Sequence, residues 1–97
     1  MEFKGTKGKW GIRKGTFGFQ KNCTFILSDE LDICLLYKVN SPDEEEYNAQ
    51  LISKTPEMLE LINEFYLMCI QKTFPTEHEL EYMAEKAKQL IKEATEL

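Results

Sequence analysis

Apolar and polar residues recur with different periods in the two halves of this chain. Before residue 40 the period is two. Trp10 and Ile12 alternate with polar or small neighbours, as do Phe17 and Phe19, which is the signature of short strands. Cys23-Thr24-Phe25-Ile26-Leu27 and the run from Asp32 to Val39 are rich in β-branched and aromatic residues, and Ser28-Asp29-Glu30 lies between them. Two such runs around a polar turn predict an antiparallel hairpin. With the segment before them they predict a small antiparallel sheet of three or four strands.

After residue 40 the period changes to three and four. Ser41-Pro42-Asp43-Glu44 opens a helix that runs to about Ser53. Serine caps it, proline suits its first position, and Glu44 completes a capping box. Tyr47, Leu51 and Ile52 are its expected packing face. Thr55 and Pro56 open a second helix by the same logic, running to about Lys72. A bend is expected at Thr55, because proline disfavours the α conformation in the residue before it. Phe74-Pro75 ends that helix, and Thr76-Glu77-His78-Glu79 is a capping box for a third. There Leu80, Met83, Ala87, Leu90, Ala94 and Leu97 follow a seam-like spacing. The short link predicts that the last two helices form an antiparallel hairpin.

The fold class read from this pattern is α+β, as a single domain over 1–97. Residues 1–40 form a β-rich part and 41–97 a helical part expected to carry most of the hydrophobic core. The second helix is apolar nearly all round, from Met58 and Leu59 to Cys69 and Ile70. Such a helix is expected to be buried on several sides. In so small a protein part of it is expected to face another subunit, which makes a homo-oligomer through Pro56–Lys72 the expected assembly.

Composition supports a folded chain: 42% hydrophobic and 30% charged residues leave enough apolar surface to offset the ordering entropy. The net charge of −5 hides an asymmetry. Residues 1–22 hold Lys4, Lys7, Lys9, Arg13, Lys14 and Lys21 against Glu2 alone, whereas the remainder is strongly acidic. The basic segment has no apolar stretch of the signal-peptide type. The longest apolar run, Phe65 to Ile70, falls far short of the roughly 18 residues of a membrane span. Cys23, Cys34 and Cys69 are odd in number and share no metal-binding spacing. Each lies among apolar neighbours and is expected to be a buried thiol in a reducing, cytoplasmic compartment.

Chemistry-bearing motifs are few. His78 is the single histidine, and without a neighbouring nucleophile and orienting group it is expected to face solvent. No ligand cluster for a metal is evident, and no catalytic residue, cofactor or enzymatic activity is expected. Asp43-Glu44-Glu45-Glu46 sits where acids favour a helix dipole. Gly5-Thr6-Lys7-Gly8-Lys9 lacks the spacing of a nucleoside triphosphatase loop. A looser anion cradle remains open, with Lys9, Arg13 and Lys14 as cations and Trp10, Phe17 and Phe19 as stacking faces. Composition favours a plain structural use of those aromatics as sheet core, with the lysines as soluble edge residues. Duplex nucleic acid is not an expected partner, because the acidic remainder would repel phosphates.

Two segments carry a resemblance. One is Thr6-Lys7-Gly8-Lys9-Trp10, and the other is Asn48-Ala49-Gln50-Leu51-Ile52-Ser53-Lys54-Thr55-Pro56-Glu57-Met58-Leu59-Glu60-Leu61. They resemble a large group of small phage and prophage proteins of mostly unassigned function. In that group a T-P-G-P-W motif begins a small sheet, and a later helix reads N-A-x-L-I-x-x-A-P-E-L-L. The helix segment matches closely. The first segment departs by carrying Lys7 and Lys9 where the pattern has prolines. The resemblance implies a phage-encoded accessory protein acting in the bacterial host cytosol against host defence. One such route is a non-enzymatic, homo-oligomeric sponge for an anionic nucleotide signal, cyclic or ADP-ribose-derived. Lys9, Arg13 and Lys14 would then meet phosphates while Trp10 or Phe17 stacks on a base. The alternative is an acidic protein-interaction module, with acids at Asp43 to Glu46 and Glu77 to Glu81, that inhibits a host defence protein directly.

Overall fold

The computed structural model describes residues 3–29, 31–36, 42–71 and 75–96. It is an α+β chain in which three strands precede three helices: β1 (Gly11–Phe17), β2 (Gln20–Ser28), β3 (Leu31–Leu36), α1 (Pro42–Ser53), α2 (Thr55–Gln71) and α3 (Glu77–Thr95). The sheet is antiparallel, with β2 in the centre. The expected continuation of β3 to Val39 lies outside the described residues, as does Ser41, the expected cap of α1.

Turn chemistry sets the sheet. Phe17 pairs with Gln20 around Gly18-Phe19. Gly18 takes φ +61°, the left-handed conformation that short hairpin loops demand. This corrects the expectation of Phe17 and Phe19 as alternating strand positions, because Phe19 is fully exposed in the turn. In the second hairpin Asp29 adopts φ +50°, which aspartate tolerates better than most residues. Between β2 and β3 the register shifts after Ile26, leaving Ile33 as the extra residue of a bulge.

The tightest packing lies in the sheet. Thr24 and Ile26, alternate residues on one face of β2, have no exposed surface, and α1 packs on β2 and β1. Cys23 and Phe25 on the opposite face are also buried. The helical part therefore does not carry most of the core: it adds Ala49, Met83 and Ala94 to the buried apolar residues, and α2 contributes none among those described. A helix becomes core only when other surfaces cover it, and α2 meets α3 along one side and α1 more thinly.

The packing face of α1 also differs from expectation. Glu45, Ala49 and Ser53, spaced four apart, are buried, while Tyr47 and Leu51 are exposed. Small side chains at Ala49 and Ser53 allow close approach of the helix. The Gln50 side-chain amide then donates to the Glu93 carbonyl of α3, and Lys54 lies 4.0 Å from the Glu93 carboxylate. Of the three thiols only Cys23 is buried; Cys34 and Cys69 are exposed, because β3 is an edge strand and α2 is uncovered on the side of Cys69.

The chain bends between α1 and α2 at Lys54, whose N–H donates to the Leu51 carbonyl at 3.2 Å and whose carbonyl accepts from Met58 N–H at 3.0 Å. Lys54 thus occupies the cap position of α2. The Thr55 hydroxyl instead donates back to the Ile52 carbonyl at 2.7 Å, satisfying an end group of α1. The third helix begins as expected. Glu79 N–H donates to Thr76 Oγ1 at 3.1 Å and Thr76 N–H donates to Glu79 Oε1 at 3.2 Å, a complete capping box. Helices α2 and α3 form the antiparallel hairpin, clasped by Lys86 Nζ and Glu64 Oε2 at 2.9 Å. The molecule measures 56 × 27 × 18 Å with a radius of gyration of 16.6 Å. A compact chain of this length would have about 12.5 Å, so the fold is drawn out along one axis.

Candidate functional site

The basic and aromatic residues singled out in the sequence take different positions. Along β1, Arg13 pairs with Phe25 and Lys14 with Thr24. Adjacent strand residues project to opposite faces, so these two cations do not converge. Arg13 lies 4.4 Å over the Phe25 ring and reaches Asp32 Oδ1 at 3.3 Å. Lys14 Nζ donates to Thr24 Oγ1 at 2.8 Å. Trp10 Nε1 donates to the Thr6 carbonyl at 3.2 Å. Phe17 ends β1 and is exposed. Lys9 is placed elsewhere, on the wall of a cleft.

That cleft, about 650 Å³, lies between the glycine-rich segment before β1 and the first half of α2. Phe3, Leu59, Ile62 and Tyr66 give it apolar and aromatic surface. Lys7, Gly8 and Lys9 stand on one wall, and Glu57 and Glu60 on the other. The segment is held to the sheet by Ser28 Oγ, which donates to the Lys7 carbonyl at 3.3 Å, and is closed on itself by the Trp10–Thr6 bond. Gly8 takes φ +93° with open space where a Cβ would be, which lets the chain turn beside Lys7 and Lys9. At Gly5 a methyl group would collide with the Phe3 ring, so a residue without a side chain lets that ring fold back over the backbone.

The second wall carries an unusual polar atom. Glu57 Oε2 is buried without a hydrogen-bond partner, an unpaired acceptor inside the wall and not a group presented to the cleft. Taken together the cleft offers ring faces and two lysines. Phe3, Glu57 and Tyr66 were not legible as site residues in the sequence. The signal available was the excess of apolar positions on α2, which by itself marks a surface and not a ligand.

A second hollow, about 440 Å³, opens between α2 and α3 among Leu67, Met68, Tyr82 and Met83. Among the described residues His78 is exposed, no group of three or more His, Cys, Asp or Glu side chains is placed to hold a metal, and no helix is long and apolar enough to cross a membrane. No protein-family model matches this chain, and neither does any curated protein or solved structure at a significant level.

Proposed function

We propose that the protein is a non-enzymatic binder that sequesters a small anionic nucleotide in the cleft between residues 3–9 and α2. The observation that carries this reading is the composition of the cleft: Phe3 and Tyr66 beside apolar Leu59 and Ile62, with Lys7 and Lys9 on the facing wall. Aromatic faces suit a base and lysines suit phosphates. Glu57 and Glu60 limit the preference for highly charged ligands, so a nucleotide with few phosphates or with bridged ones fits best. In the phage setting suggested by the resemblance, such a binder withholds an immune signal from its receptor.

Calorimetry with ADP-ribose and with a cyclic dinucleotide tests the proposal. Saturable binding with the ligand recovered intact is the expected result. Lys9→Glu is expected to weaken it about tenfold or more, since hydrogen bonds to charged groups are worth roughly 1.5–3 kcal/mol. No binding of either nucleotide, or turnover of one, overturns the reading.

A further inference from the structure

An acidic wall is an unexpected surface for an anion to meet, and α2 supplies one. At about 3.6 residues per turn, Ile62, Tyr66 and Leu59 form one side of the arc that α2 gives to the cleft, Asn63 follows, and Glu60 and Glu57 form the other side. Glu60 and Asn63 lie three positions apart, which makes them neighbours on the helix surface with Cβ atoms about 5–6 Å apart. Glu60 is exposed and Asn63 half-buried, and among the described residues neither side chain takes part in a hydrogen bond or ion pair. Both stand beyond the first turn of the 17-residue helix, where they neither cap it nor favour its dipole. A carboxylate on this wall weakens the hold on an anion unless the ligand also brings N–H groups to it.

We infer that Glu60 and Asn63 read the edge of a guanine, so that the cleft prefers guanine to adenine nucleotides; this rests on the nucleotide reading of the cleft. Guanine presents an O6 acceptor, an N1–H and an N2–H group in a row. Its two adjacent donors are the complement of a carboxylate, whose two oxygens both accept, and the Asn63 Nδ2–H group serves O6 beside them. Hydrogen bonds to a charged acceptor are roughly twice as strong as neutral ones. Adenine carries a single donor group, the N6 amine, beside an acceptor nitrogen, so a carboxylate set against its edge meets a lone pair. The order round the helix agrees with this pose. The base rests its face on Tyr66 and Leu59, its polar edge reaches Asn63 and Glu60, and Lys7 and Lys9 stand on the facing wall for the phosphates. Glu57 takes no part, because its Oε2 is buried inside the wall.

Calorimetry with the full chain and two pairs of probes that differ in the base alone tests this: GDP-ribose against ADP-ribose, and cyclic di-GMP against cyclic di-AMP. The wild type is expected to bind the guanine member of a pair about tenfold more tightly or better, the discrimination that one good bidentate contact to a base gives. Glu60→Gln separates base reading from a general role of charge. It is expected to weaken the guanine member and to leave the adenine member unchanged or tighter, because a carboxylate near the phosphates is gone. A structural role moves both members the same way. Asn63→Leu is expected to narrow the preference, and the far-ultraviolet circular dichroism of both variants to match the wild type. Lys9→Glu is expected to weaken both members alike and keep their ratio. Equal or adenine-favoured affinities in the wild type overturn the inference, as does a ratio unmoved by Glu60→Gln. In those cases the weakening by Lys9→Glu still supports the cleft as the nucleotide site. A wild type that binds none of the four probes overturns the nucleotide reading and this inference with it.

Discussion

The Arg13 guanidinium carbon lies 4.4 Å from the centroid of the Phe25 ring, and the side chain reaches across the central strand to Asp32 on β3. One side chain from an edge strand thereby touches all three strands. Gly15 makes the arrangement possible. A Cβ at Gly15 would stand 2.8 Å from an Arg13 terminal nitrogen and 3.4 Å from the Phe25 ring. The glycine keeps open the space that the guanidinium fills.

Gly15→Val is expected to displace Arg13, expose the Phe25 ring and destabilise the sheet by about 1–3 kcal/mol, the range for overpacking. Arg13→Ala in the wild-type background is expected to cost less, about 1 kcal/mol or below, because the pair with Asp32 is half exposed and screened by solvent. Chemical denaturation compares the two. A larger loss from Arg13→Ala than from Gly15→Val would show that the ion pair, not the space at Gly15, sets the stability of the sheet.

Glu45 makes a second prediction. It is buried on the packing face of α1, and its Oε1 lacks a hydrogen-bond partner. An acceptor in that state costs about 1–3 kcal/mol, partly offset by its favourable place in the first turn of the helix. Glu45→Met keeps the length of the side chain and removes the penalty. A rise in Tm of several degrees is expected for a chain of this size. A fall in Tm would reveal that the carboxylate finds a partner in solution.

The helical hairpin should respond to alkaline pH through Lys86. Its hydrogen bond with the Glu64 carboxylate, and then that with Tyr82, raise its pKa above the ordinary 10.5. A lysine whose folded value is raised contributes stability that is fully present below the unfolded value and lost as the pH rises through the folded one. The wild type is therefore expected to lose Tm across that interval, and Lys86→Met to lose less, after subtracting the change common to both. Parallel curves for the two proteins would show that the clasp contributes nothing.

How much of this was legible beforehand follows the range of the forces involved. The α+β class, the order of elements, the start of α2 within a residue, and the capping box at Thr76 were all readable, because caps, prolines and turn residues act on backbone groups a few positions away. The two-residue turn at Gly18 was not legible, because a glycine between two phenylalanines carries both the period-two pattern of a strand and the signal of a turn.

Burial was another matter. Ala49 is buried and Leu51 exposed on one helix, although hydrophobicity alone ranks them the other way. Cys23 is buried, while Cys34 and Cys69 are exposed. The cleft joins Lys9 to Tyr66, residues on separate elements. Each of these outcomes depends on which surface meets which, and that is decided by the close approach of α1 to β2 and by the side of α2 that meets α3. The chain's own letters determine its strands and helices through short-range backbone satisfaction; where apolar surface ends up is settled only when distant elements dock.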